Sequence, residues 1–300
     1  MTASHDDARS FLDPGLDFST ETFEADEKAA LLEWYRDVHD YKDLDLAPFA
    51  RFFVEHDAGG FKRLRRHVMS LEDARDGVSL PTVAGVLMYV HAYTAMANGK
   101  GALYEVIAAR ALGASKSQAL TTLRLGAQFG GPHGMNPLGE LAMEYLDEWT
   151  DDGPATIEWP AGWAPDDGVF RSGIDPAGEE LSPDELDLVR EWYRRMYGEV
   201  PAHVEVLAEL HPRALKTHQL RFELAPLHDL PAQLVPLYRL HLAAMRLWER
   251  PMRRSAQMAR ALGVRRHHVV STLFWAAVYG GDAVLETAVT SIGDLLRDWD

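Results

Sequence analysis

The chain of 300 residues contains no cysteine. That excludes disulfides, thiolate nucleophiles, thiol peroxidase chemistry and thiolate metal sites together. Positive charge is also scarce: 30 Lys and Arg stand against 46 Asp and Glu, a formal net charge of −16. Such a chain repels a phosphate backbone at long range, so no nucleic-acid partner is expected. The one dense basic run, Lys62-Arg63-Leu64-Arg65-Arg66, reads as the solvated face of a helix. Long apolar runs are missing as well. Nothing approaches the roughly 20 residues of a membrane span, so no membrane partner is expected. Met1 to Pro14 is polar and acidic, without the basic and apolar regions of a signal peptide, and a cytoplasmic location is the default expectation. No His-Glu-x-x-His or Glu-x-x-His motif occurs, which leaves a metal site unsupported. Gly130-Gly131 follows a helical pattern rather than opening one, unlike a phosphate loop. Neither metal nor cofactor is expected.

What remains is the composition of an ordinary globular protein, 47% hydrophobic and 25% charged. It is written twice. Laying residues 80–149 over 230–299, at an offset of 150 without a gap, gives 16 identities. Leu80-Pro81 falls on Leu230-Pro231, His91 on His241, Gly130-Gly131 on Gly280-Gly281 and Trp149 on Trp299. The run Ala109-Arg110-Ala111-Leu112-Gly113 recurs intact as Ala259-Arg260-Ala261-Leu262-Gly263. Upstream, with small shifts, Glu33-Trp34-Tyr35-Arg36 matches Glu191-Trp192-Tyr193-Arg194, and Lys62 sits near the place of Lys216. The expected organisation is a first repeat over 1–149 with its core at 80–149. A Pro- and Gly-rich connector follows over 150–182, then a second repeat over 183–300 with its core at 230–299. The connector carries Trp159, Trp163 and Phe170, which predict that it packs down onto the protein.

Each half reads as helical. Ser182-Pro183-Asp184-Glu185 is a helix start, with Ser at the N-cap, Pro at the first position and Glu at the third. Ser115-Lys116-Ser117-Gln118 is a second capping box. Gly113 and Gly263 lie where a left-handed residue ends a helix. Apolar positions recur at three- and four-residue spacing through Val86–Met96 and Leu103–Leu112. The fold class expected is all-α, with five to seven helices per half.

The element "helix, Asn98-Gly99 turn, helix ending Ala111-Leu112-Gly113, Ser115-capped helix, Gly130-Gly131" resembles the carboxymuconolactone decarboxylase family, which includes alkylhydroperoxidase D-like proteins. The second half carries Ala261-Leu262-Gly263 and Gly280-Gly281 at the same 17-residue spacing. The resemblance covers both cores. It implies two tandem helical repeats and an assembly of chains, here a trimer of tandem chains forming a pseudo-hexamer. The thiol pair of the peroxidase branch would fall near Asn98 and Gly101, and near Trp248 and Pro251. The family's histidine would fall at Glu105 and Ser255. None of these is Cys or His, so the thiol chemistry does not carry over.

Candidate functional residues follow from side-chain chemistry. His91 and His241 are the histidines that align between halves, and His titrates near neutral pH. Glu105, on a largely apolar helix, could be desolvated and serve in proton transfer. His133, flanked by glycines in a segment the second half does not repeat, has the backbone freedom for close ligand approach. These three, His133, His91 and Glu105, are the catalytic candidates. Tyr89, Lys100, Tyr104, His241 and Arg246 are the substrate-binding candidates; Arg239, Arg250, Arg253 and Arg254 join Arg246 as groups that could hold a carboxylate or pair with the protein's own acids. The activity expected is a cofactor-independent lyase, decarboxylase or isomerase acting on a small organic acid by acid/base chemistry. The alternative is a non-catalytic ligand-binding or scaffold member that lost the thiol site. Convergence of His91, Glu105 and His133 on one pocket distinguishes the two.

Overall fold

The computed structural model describes residues 14–38, 48–72, 80–150 and 157–299. Every regular element among them is helical, and no strand occurs. Before the connector come α1 (Ala25–Val38), α2 (Pro48–His56), α3 (Ala58–Glu72), α4 (Thr82–Ala95), α5 (Gly99–Ala111), α6 (Lys116–Gly130) and, after a short 3₁₀ turn at Pro132–Gly134, α7 (Met135–Glu148). After it come α8 (Pro183–Tyr197), α9 (Ala202–Leu210), α10 (Pro212–Glu223), α11 (Leu234–Met245), α12 (Glu249–Ala261), α13 (Arg266–Gly280) and α14 (Ala283–Arg297).

Two helix pairs keep the sequence register at both ends, while α11 starts two residues late against α4 and α14 starts two residues early against α7. At an offset of 150, α5 lies on α12 and α6 on α13, residue for residue at both ends. The caps explain why. Leu112 and Leu262 close their helices in the same bridge-region conformation, and Gly113 (φ 91°) and Gly263 (φ 70°) supply the left-handed step. Ser115 and Ser182 form the capping boxes expected of them, each accepting from the backbone N–H three residues on. In the turn before α5, Asn98 is the N-cap, its Oδ1 accepting from the Gly101 N–H at 3.0 Å. Ala97 takes the positive φ (60°), as does Leu247 (55°) at the matching place. A non-glycine residue there costs about 1–2 kcal/mol, and both halves carry that strain.

The main core runs across both halves. Leu80, Val83, Leu87 and Met88 pack in one cluster with Leu230, Leu237, Leu240 and Ala276. At its centre α4 lies against α11. A second cluster belongs to the first half, around Leu103, Val106, Ile107 and Leu123. The repeated Arg110 and Arg260 are structural: each guanidinium covers the tryptophan that ends its repeat, Trp149 at 5.2 Å and Trp299 at 6.0 Å.

Upstream, a buried ion pair recurs. Lys62 Nζ meets Glu27 at 2.8 Å and Lys216 Nζ meets Glu185 at 2.9 Å. Both carboxylates also accept from the backbone ten residues earlier, Glu27 from Asp17 and Glu185 from Asp175. The charge-assisted bonds tie each extended arm to its helices. Lys62 is therefore buried, which corrects its reading as part of a solvated basic face. Arg65 beside it lies 5.1 Å over the Trp34 ring. In the connector, 151–156 lie outside the described residues. From 157 on the chain is irregular but packed: Phe170 and Ile174 are buried, and Trp159 and Trp163 lean on the main core.

Candidate functional site at the junction of the halves

The residues singled out from sequence are dispersed. His133 lies in the exposed 3₁₀ turn between α6 and α7. Glu105 is half-buried on α5 and acts electrostatically on Tyr93. Lys100 is exposed, its ammonium 5.7 Å from the ring of the buried Tyr104. Arg246 is exposed and stacks on Trp248 at 5.4 Å. Of the other arginines, Arg253 makes a two-pronged pair with Asp294 (2.8 and 2.7 Å) and Arg254 bonds Glu199 at 2.8 Å. These are ion pairs with the protein's own acids.

His91, His241 and Tyr89 do come together, on the packed faces of α4 and α11. His91 stacks on Tyr238 at 5.2 Å with an interplanar angle of 24°. His241 meets Tyr89 edge-on at 5.1 Å. Tyr89 Oη donates to the Trp275 carbonyl at 2.8 Å, and Tyr238 Oη shares a hydrogen with Thr122 Oγ1 at 3.2 Å. Both histidines are fully enclosed. Burial pushes each imidazole down to about 3, because desolvation penalises the cation; for His91 the neighbouring His241 and Arg239 add to it. Both rings are neutral at pH 7, so His91 is a poor proton acceptor there and works as a neutral hydrogen-bonding group.

A narrow cleft opens on the His91 side. His91, Gln128, Phe129, Phe222, Tyr238 and Arg239 line it, with Leu125 and Val235. Its free space is about 10 Å³, room for one water molecule. His91 Nδ1 is buried with no hydrogen-bond partner. Arg239 is half-buried, held by one hydrogen bond from Nη1 to Tyr197 Oη (2.6 Å) and sandwiched by Phe222 (4.5 Å) and Phe129 (5.5 Å). Among the described residues it makes no ion pair, although the chain carries 16 more negative than positive charges. A half-buried guanidinium without a carboxylate, beside a buried imidazole with a free nitrogen, is a ready receptor for an anion.

Neither Glu105 nor His133 lines this cleft. Sequence reading named His91 but passed over Gln128, Phe129, Phe222 and Tyr238, and chose Arg246 where Arg239 is the enclosed arginine. The available signal was small: Arg239 stands two residues before His241, at the place of Tyr89. Among the described residues no cluster of three or more His, Asp or Glu could hold a metal, and no helix is long and apolar enough to cross a membrane. The chain matches no protein-family model, and no curated protein or solved structure matches it.

Proposed function

We propose that the protein binds a small organic acid in the His91–Arg239 cleft, as a ligand-binding protein rather than an acid/base lyase. One observation carries the reading: Arg239, which makes no ion pair among the described residues, and His91, whose buried Nδ1 has no hydrogen-bond partner, line one cleft. The separation of His91 from Glu105 and His133 favours binding over proton transfer. Kinship with the carboxymuconolactone decarboxylase family belongs to the same proposal, and the coincident boundaries of α5 with α12 and α6 with α13 support it. Assembly into a trimer of tandem chains is part of it too, supported by the exposed apolar side chains Met143, Leu210 and Val289.

The test is thermal unfolding with a panel of small carboxylates. A ligand at 100 times its Kd stabilises by about 2.7 kcal/mol, and Arg239→Gln abolishes that gain. A lyase reading retains one specific support: a neutral imidazole beside an arginine-held carboxylate can polarise a ligand carbonyl. Turnover of any carboxylate that His91→Gln removes would establish it in place of pure binding. Light scattering at a mass near one chain, 33.6 kDa, would overturn the trimer.

A further inference from the structure

The walls of the cleft are more informative than its volume. Three aromatic rings, Phe129, Phe222 and Tyr238, and two aliphatic side chains, Leu125 and Val235, face the same space as Arg239 and His91. Only Nη1 of Arg239 is engaged, leaving the side-on edge of Nε and Nη2 without a protein acceptor among the described residues. That edge is the fork that takes a carboxylate in bidentate fashion. The ligand side is then specified in three parts. One carboxylate meets Arg239. One polar atom meets the His91 imidazole, which as a neutral ring carries one donor and one acceptor nitrogen. The remainder is apolar and flat, to lie against rings.

A second anionic group has no receptor. Arg239 is the one charged residue in the lining, and Arg221, next to the lining residue Phe222 in sequence, bonds the Gln128 carbonyl through Nη2, while Gln128 Nε2 donates back to the Arg221 carbonyl at 2.5 Å. Gln128 lines the cleft, and this reciprocal pair joins the end of α6 to the end of α10 across the two halves, beside Phe129 and Phe222 of the lining. A ring is several times larger than the free space within, so this pair parts when a ligand enters.

We propose that the cleft is the closed form of a site for an aromatic monocarboxylate, admitted by release of the Gln128–Arg221 latch. The inference rests on the carboxylate reading above. It selects benzoate over acetate, because ring burial against Phe129 and Phe222 adds to the shared Arg239 contact. It also selects benzoate over succinate, whose second carboxylate would lose its hydration without a counter-charge.

Isothermal titration of the full chain with benzoate, acetate and succinate tests it. Benzoate binding at least about tenfold tighter than either of the others is expected, since ring burial is worth more than 1.4 kcal/mol. Arg239→Gln weakens benzoate about tenfold or more. Arg239→Lys, which keeps the charge and loses the planar fork, weakens it less. Gln128→Ala, which removes one latch bond, raises the benzoate association rate about five- to tenfold. Acetate or succinate binding as tightly as benzoate overturns the aromatic assignment and leaves the carboxylate site standing. An unchanged association rate in Gln128→Ala overturns the latch. If no carboxylate binds, or if Arg239→Gln and Arg239→Lys both bind like the parent chain with their fold intact by circular dichroism, the site reading itself falls.

Discussion

The two sides of the α4–α11 junction are built from the same register and end differently. On one side His91 faces Leu125, Phe129, Val235 and Arg239. At an offset of 150 those places are held by His241, Trp275, Tyr279, Gly85 and Tyr89. Trp275 fills the room that Leu125 leaves free, and it does so because position 85 is glycine: a Cβ there would lie 2.2 Å from the indole. Tyr89 then closes the face by donating to the Trp275 carbonyl. His241 is walled in with neither ring nitrogen making a hydrogen bond of normal geometry; desolvation lowers its value and outweighs the Trp275 backbone, which favours the charged form. One side is thus packed by aromatic rings, and the other keeps a cation and a cleft. In a duplicated fold, packing needs only complementary volumes, so one surface can be sealed while its counterpart retains polar chemistry.

The largest effect tests what the two sides share. Both imidazoles have folded-state values near 3, below the ordinary 6.5. As pH falls the unfolded chain takes protons first, so stability is fully present above pH 6.5 and declines toward pH 3. Each histidine contributes about 1.4 kcal/mol of loss per pH unit in that window, and the pair about 4 kcal/mol by pH 5. Urea unfolding at pH 7, 6 and 5 measures this slope. His241→Gln and His91→Gln each remove about 2 kcal/mol of the loss at pH 5, the buried His268, lowered to about 4, keeping part of the slope in both, but only His91→Gln weakens carboxylate binding. A flat profile would show that neither ring is sealed.

Next comes the packing that makes the sides unlike. Trp275→Leu leaves a void and costs about 2–3 kcal/mol. Gly85→Val alone forces a clash and costs about 1–3 kcal/mol. Together they copy the Leu125–Val235 arrangement, so the double variant is expected to recover at least about 1 kcal/mol relative to the sum. Additivity in denaturant unfolding would mean the two sides are not counterparts.

Smaller still is Tyr89→Phe. It removes one buried hydrogen bond to a carbonyl inside α13, for about 0.5–1.5 kcal/mol, with carboxylate affinity unchanged by titration. The smallest effect belongs to His133→Ala. An exposed residue in a 3₁₀ turn is worth within about 0.5 kcal/mol, and binding at the junction should not register it. Loss of binding or of turnover in His133→Ala would place the functional site on the α6–α7 turn and away from the junction.

Local structure was legible because its causes are local. Ser115 and Ser182 read as caps, Gly113 and Gly263 as left-handed ends, and the prolines after 150 as irregular chain, from chemistry spanning four or five residues. The absence of cysteine settled the thiol question before any fold was known. The repeat, too, was visible in the ungapped run ending at Gly113 and Gly263. His91 could be named because it recurs, but recurrence alone does not separate a sealed imidazole from one facing a cleft. Helical periodicity tells which face of α4 is buried and not which helix covers it. The partners of His91 come from α6, α10 and α11, and Arg239 lies 148 positions away in the chain. Whether Arg239 meets a carboxylate or an empty space depends on that packing, as does the difference that Trp275 and Gly85 make on the far side. Sequence set the helices and their ends through local backbone chemistry. Tertiary packing of α4 and α11 with α6, α10 and α13 decided which histidine faces a cleft and which arginine is left without a counter-charge, because burial and charge pairing are properties of neighbours in space.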